Sequence, residues 1–271
     1  MGLCQCQEAC CGEHKLGDVG PKVIPLTQSL EGRQTREETL SNGAVYVGQW
    51  KGQARDGFGK QTWPDGASYE GSFQENKAAG YGKFIHADGD IYEGEWQNDK
   101  AHGHGRYQHM DGSTYEGEWI ADKQTGEGVE SWVDGSSYSG QYQDGLKHGK
   151  GTFIWVDGSK YMGYFEMNDI HGEGTYIWAD GRKYTGQWRS NRMEGKGAFL
   201  WPDGRSYTGE YLHDLKHGFG HFKWPDNREY VGEWRNGKQH GTGKYTEANG
   251  VSGECQWVNG QRVRWLESQP A

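Results

Sequence analysis

The chain has 271 residues, of which 46 are glycine and 37 are aromatic, while Leu, Ile, Val and Phe together make up only about an eighth. So few aliphatic side chains exclude a close-packed aliphatic core and leave large rings to remove surface from water. The net charge is −9, with six acids and four bases in residues 1–40 and 32 acids and 25 bases beyond them, so neither part has the basic footprint of a nucleic-acid binder or of a patch that docks on anionic lipid.

At the N-terminus no apolar stretch resembles a secretory signal, and no apolar run is long enough to span a bilayer, so a cytoplasmic chain is expected. Four of the five cysteines are Cys4, Cys6, Cys10 and Cys11. The opening Met1-Gly2-Leu3-Cys4-Gln5-Cys6 would expose Gly2 for myristoylation once Met1 is removed, and places Cys4 and Cys6 for palmitoylation. One myristoyl chain holds a membrane only marginally; a second acyl chain is needed where a basic patch is missing. Cys6 stands where a Ser or Thr is usual. Two other readings stay open: a metal site with His14, although C-x-C and C-C match no standard zinc spacing, and a tail without a role. Residues 12–40, with Pro21 and Pro25 and few aromatics, read as a flexible linker, so residues 1–40 form one segment. Asn42-Gly43 matches the turn of a missing preceding unit, which makes Glu38–Leu40 a candidate capping strand.

From Tyr46 the chain repeats with a period of 23. Tyrosine recurs at Tyr46, Tyr69, Tyr92, Tyr115, Tyr138, Tyr161, Tyr184, Tyr207 and Tyr230. Glycine follows two positions later, from Gly48 to Gly232. An aromatic follows four positions later: Trp50, Phe73, Trp96, Trp119, Tyr142, Phe165, Trp188, Tyr211 and Trp234. The second half of each unit opens on a G-x-G pair, from Gly57 and Gly59 to Gly241 and Gly243. An aromatic comes two residues on, with Gln61 and Glu130 as exceptions. Then come Trp or His (Trp63, His86, His109, Trp132, Trp155, Trp178, Trp201, Trp224) and a turn such as Asp65-Gly66 or Asp180-Gly181.

Within each half the marked residues fall two apart, the strand period that puts them on one face. Pairs such as Asn98-Asp99, Asp144-Gly145 and Asn236-Gly237 suit the positive φ angles of tight hairpins. Each unit is therefore one β-hairpin, and the expected fold is all-β: an elongated, single, twisted antiparallel sheet of consecutive hairpins. Rings from adjacent hairpins are expected to cover the glycine gaps. The other face is expected to be polar, with Glu95, Glu118, Glu210 and Glu233 on one strand and Lys60, Lys83, Arg106 and Lys244 on the second. Nine units fill residues 41–252. Residues 253–271 read as a degenerate cap and tail, in which Val251–Cys255 falls two residues short and Cys255 replaces an aromatic.

The pattern Y-x-G-x-W, then G-x-G, then D-G over residues 46 to about 250 resembles MORN (membrane occupation and recognition nexus) repeats. The resemblance implies an aromatic groove and scaffolding at membranes, cytoskeleton or cilia. About twenty residues follow Gly250, too few for the catalytic domain or transmembrane tail that some relatives add.

No residues outside the repeat pattern pair a nucleophile with a base, so no catalytic residue and no cofactor are expected. His102, His148, His171, His217 and His240 recur too far apart to share one ion and read as turn residues, so no metal site is expected. The preferred reading is a non-catalytic scaffold at the cytoplasmic side of a membrane, acylated at Gly2, Cys4 and Cys6. Its groove would take a peptide or helix of a cytoskeletal or motor protein on Trp96, Trp119, Tyr138, Tyr161 and Trp188, since buried aromatics anchor interfaces. Two alternatives are a soluble axonemal or cytoskeletal structural component and a regulatory subunit linked to phosphoinositide metabolism. The free edges of a terminal unit permit a homodimer.

Overall fold

The computed structural model describes residues 32–266. They form one open sheet of 21 strands, from β1 (Arg33–Thr39) to β21 (Gln261–Trp265), with no helix among the described residues. Each strand pairs antiparallel with the one that follows it. The 23-residue unit is one hairpin, as in β10 (Ser137–Gln143) and β11 (Leu146–Ile154). At the hairpin turns, Asn98 and Asp99 (φ 54° and 65°) and Asp144 and Gly145 (φ 52° and 85°) take the left-handed conformation that a two-residue turn requires.

The two strands of a unit differ in length because the second one bulges. Gly140 faces Gly151 and Tyr142 faces Lys147, so the second strand carries two extra residues between those pairs. Gly149 occupies this bulge at φ +65°, a backbone conformation that a side chain would strain. The groups freed by the bulge find partners on the first strand. The Lys150 amide donates to Gln141 Oε1 at 2.9 Å, and the Tyr138 hydroxyl donates to the Gln141 carbonyl at 2.9 Å. The same tyrosine bond recurs in all nine units, at 2.9–3.1 Å.

These bonds correct two expectations. Glu95, Glu118, Glu210 and Glu233 are more than a soluble surface: each carboxylate accepts the bulge amide of its own unit, from His104, Glu127, Phe219 and Thr242. The acids facing Lys60, Lys83 and Arg106 across the sheet are Glu70, Glu93 and Glu116. The back face is also less polar than expected, since Phe58, Tyr81, Tyr164 and Phe219 lie exposed on it.

The ring over the glycines also differs from expectation. Tyr138 lies along its own strand, over Gly140 and the facing Gly151, and not over a neighbouring hairpin. A Cβ on Gly151 would stand 2.5 Å from the Tyr138 hydroxyl, and one on Gly140 would stand 2.6 Å from the Lys150 carbonyl oxygen. Rings meet rings between units instead. Tyr138 packs edge-on against Tyr142 of its own strand and Phe165 of the next unit, at 5.3 and 5.1 Å. Such T-shaped pairs follow from the ring quadrupole and repeat along the array. Indole donors add a second link between units: Trp96, Trp119, Trp188 and Trp234 Nε1 each donate to the carbonyl of the second G-x-G glycine of the preceding unit, at 3.0–3.3 Å.

Both ends of the array reuse the glycine column. Strand β1 begins at Arg33, inside the segment read as linker, and pairs with β2 (Val45–Lys51) so that Arg36 faces Gly48. No repeat tyrosine precedes Arg36, so that place holds a side chain, whose guanidinium lies 4.2 Å from the Trp50 ring. Asp56 anchors Arg33 beside it at 2.6 Å. At the other end, β20 (Ser252–Val258) stays in frame and is not two residues short. Gly253 holds the tyrosine position, fully buried Cys255 the glycine position, and Trp257 keeps the aromatic. Loss of the tyrosine ring opens the space that Cys255 fills, and Trp265 covers Gly253. The recurring histidines lie within strands, beside the bulges, and not in turns.

Candidate functional site: an aromatic ladder

Side chains on one face of the sheet fall into two rows. The inner row is the tyrosines and the aromatics four residues after them. Tyr138 and Tyr161 are 0% exposed, and Trp119 and Trp188 are buried with them, while Trp96 is half-buried. Four of the five rings expected to meet a partner therefore have their surface committed to the core, because each is enclosed by rings of its own and the neighbouring unit.

The outer row is the surface that a partner can reach. It comes from the end of the second strand of each unit, where the aromatic after G-x-G is followed two residues later by Trp. Trp132, Phe153, Trp155, Tyr176, Trp178, Phe199, Trp201, Phe222, Trp224 and Tyr245 follow one another as a ladder with centroids 4.3–6.3 Å apart. All but Phe199 and Phe222 are half-buried. The ladder begins at Trp132 because Glu130 replaces the ring that would continue it toward Tyr107. The rim Trp residues were legible as a column, and their place just before the turn was the signal that they flank the buried row.

Arginines brace the far side of the ladder. Arg182, Arg205 and Arg228 lie 5.2–5.4 Å from the rings of Trp178, Trp201 and Trp224, and each is held by Asp180, Asp203 or Asp226 at 2.7–2.8 Å. The turn sequences W-x-D-[GN]-R produce this stack locally, since the Asp also accepts the amide of the Arg two residues on. A flat cation over an indole holds the ring in place.

Two lysines point into the aromatic face. Lys147 Nζ donates to Glu130 at 2.6 Å, and the Tyr142 hydroxyl donates to the same carboxylate oxygen at 3.0 Å. Lys216 occupies the equivalent place three units on, among Trp201, Tyr207, Phe222 and Trp234, 4.5–5.5 Å from their centroids. Burial, with Arg205 nearby, brings the Lys216 ammonium down to about 8. Among the described residues no three His, Cys, Asp or Glu side chains are grouped to hold a metal ion. Gly2, Cys4 and Cys6 lie outside the described residues.

Comparison with known proteins agrees with the repeat. The MORN repeat family matches residues 46–68, 69–91, 92–114, 115–137, 138–160, 161–181, 184–204, 207–227 and 230–252. No curated protein matches the chain. Among solved structures the chain is similar to the wild-type TCP10 domain of Danio rerio CPAP, at 11% identity over 76% of this chain and 98% of that one, with a TM-score of 0.41. It is also similar to the SAS-4 (dCPAP) TCP domain in complex with a proline-rich motif of Ana2 (dSTIL) of Drosophila melanogaster, at 13% identity over 65% and 90% of the two chains, with a TM-score of 0.36.

Proposed function

The chain belongs to the MORN-repeat family, and from that premise we propose that it is a non-catalytic scaffold whose aromatic ladder holds a segment of a cytoskeletal, motor or ciliary protein at a membrane. The observation that carries the reading is the half-buried ladder itself. Eight reachable rings in line offer an extended partner a row of flat, rigid surfaces, and such rings lose little entropy when they are covered. A uniform array with neighbour-to-neighbour cohesion suits holding better than turnover, which needs one site unlike the rest.

The membrane half of the proposal rests on the N-terminal sequence. Myristate on Gly2 and palmitate on Cys4 and Cys6 would supply the two signals that a stable anchor needs. On this reading the chain is an anchor segment, a repeat array and a terminal cap, acting at the cytoplasmic face of a membrane.

Proximity labelling in cells tests the groove. The full chain is compared with Trp155→Ala/Trp178→Ala/Trp201→Ala, which strips the ladder, and with Phe58→Ser/Phe219→Ser, which alters the back face. A protein set lost from the first variant and kept by the second is expected; identical sets from the wild type and the ladder variant would refute the groove. Feeding a myristate analogue to cells carrying wild type or Gly2→Ala tests the anchor. Label and membrane fractionation should both depend on Gly2, and unlabelled wild type would remove the tether.

A further inference from the structure

Units that are equivalent in sequence make the array its own control, and one pair of units differs in an informative way. In the unit of Tyr138, Tyr142 faces Lys147 across the hairpin, and both donate to the carboxylate of Glu130 from the preceding unit. In the unit of Tyr207, Tyr211 faces Lys216 in the same register, twelve and seventeen residues after Phe199, the same separations as from Glu130. Phe199 supplies no carboxylate. Lys216 accordingly turns toward Phe222 and Trp234, 4.5 and 4.6 Å from their rings, and makes no ion pair among the described residues. The Lys216 side chain is half-buried and Tyr211 is 6% exposed, and neither the Lys216 ammonium nor the Tyr211 hydroxyl is among the fully enclosed polar atoms that lack a partner.

We propose that Lys216 and the Tyr211 hydroxyl form a carboxylate-binding site on the aromatic ladder, taking an Asp or Glu side chain of a partner segment that lies across Trp201 and Trp224. The proposal rests on the ladder being the docking face. Three observations carry it. The Lys147–Glu130–Tyr142 arrangement shows the ligand chemistry this pair of donors accepts. An ammonium among four rings, with Arg205 as the nearby charge, lacks the counter-charge that an acidic residue would bring. The turn acids beside Trp178, Trp201 and Trp224, which are Asp180, Asp203 and Asp226, are already engaged by their own arginines. Around Lys216 the unpaired charge is therefore cationic, although the chain as a whole is acidic. An acidic segment is selected over a neutral one of the same shape, because a buried charge pair discriminates more than apolar contact does.

The test uses the full chain with isotope-labelled lysine side chains, the Lys216 resonance being assigned by its loss in Lys216→Met. Two N-acetylated, C-amidated peptides are titrated, one alternating leucine with glutamate and the other leucine with glutamine. The glutamate peptide should bind about tenfold more tightly and move the Lys216 resonance. The ratio should fall to about one in Lys216→Met, and also in Phe199→Glu, where a resident carboxylate takes the place. Tyr211→Phe, which keeps the packing, should lower the ratio without abolishing it. Equal affinities in the wild type, or a ratio indifferent to Lys216→Met, would overturn the site. If neither peptide binds, acetate still decides: a shift of Lys216 in the wild type and none in Phe199→Glu upholds the carboxylate site while refuting the ladder as a groove. No effect of acetate overturns the site as well.

Discussion

Alanine at two glycines of one unit separates the two roles that glycine plays in this fold. Gly158 sits in the turn between units at φ +83°, with open space around it. Alanine there costs about 1 kcal/mol, the strain of an L-residue in the left-handed region. Gly140 has an ordinary strand backbone, so conformation does not exclude alanine; the Tyr138 ring and the facing strand do. Its Cβ would lie 2.6 Å from the Lys150 carbonyl oxygen and 2.7 Å from the Tyr138 hydroxyl. The facing backbone must shift, at a cost, and the ring must leave as well. Overpacking of this kind costs about 1–3 kcal/mol. The displaced tyrosine loses its bond to Gln141, worth about 1 kcal/mol. It also loses its edge contacts with Tyr142 and Phe165, about 0.5–1.5 kcal/mol each. A total of about 3–7 kcal/mol is expected for Gly140→Ala against about 1 for Gly158→Ala. Hydrogen exchange read unit by unit suits the measurement, because a repeat array need not unfold in one step. Protection should collapse in the units of Tyr138 and Tyr161 for Gly140→Ala and barely change for Gly158→Ala. Copying the natural terminus supplies the control: Gly140→Cys should cost about 1–3 kcal/mol less in a Tyr138→Gly background, as Gly253 and Cys255 coexist in β20. Equal costs at the two glycines, or no coupling in the control, would refute ring-over-glycine packing as the source of cohesion.

Alkaline pH should attack the same ring column. Burial pushes Tyr46 up to about 12 and raises Tyr69, Tyr92, Tyr115, Tyr138, Tyr161, Tyr184, Tyr207 and Tyr230 as well. The folded values lie above the unfolded value of 10, so this contribution is complete below pH 10 and is lost as pH rises beyond it, at about 1.4 kcal/mol per pH unit for each repeat. Tyrosinate absorbance and circular dichroism should therefore change together above that pH; column tyrosines that titrate near 10 with the sheet intact would contradict the burial. At the bulges, Gln187→Ala removes the acceptor of the Lys196 amide, a 2.8 Å bond, and should cost about 1 kcal/mol by unit-resolved exchange. Tyr164 holds this acceptor position in its own unit, where the ring offers no carbonyl to the bulge, so Tyr164→Gln should gain up to about 1 kcal/mol there; no gain would limit the staple to packing.

Much of this architecture was legible because a period of 23 carries both the strand alternation and the turn chemistry. The nine tyrosines, the paired glycines and turns such as Asn98-Asp99 stand where the hairpins need them. Two things were not legible, and for related reasons. Which ring covers which glycine depends on side-chain direction, and spacing alone does not distinguish Tyr138 over its own Gly140 from a neighbour's ring over the same gap. Burial then ranks the aromatic rows in a way that spacing cannot. Tyr138 and Trp155 are both large rings on one face, yet the bulge draws the tyrosine hydroxyl down to the Gln141 carbonyl and leaves the tryptophan beside the turn, half in water.

The terminal units show why the distinction matters. A strict reading of the column makes Cys255 a defect, since it neither stacks nor leaves a gap. In the sheet, Gly253 has already removed the ring, so a side chain at Cys255 closes a hole that a ninth-unit neighbour would otherwise leave open, and Arg36 solves the same problem at the first strand. Ring and side chain are thus alternatives for one volume, and an array ends where the ring is withheld. The same logic separates Phe199 from Glu130. Inside the array a substitution is tolerated when the volume is filled, but its charge passes to whatever lies opposite. Glu130 satisfies Lys147 within the chain, and Phe199 leaves Lys216 to be satisfied from outside. Units that look interchangeable in packing therefore differ in what they offer a partner, and specificity in a repeat of this kind resides at the positions where the fold's own pairing has been left incomplete.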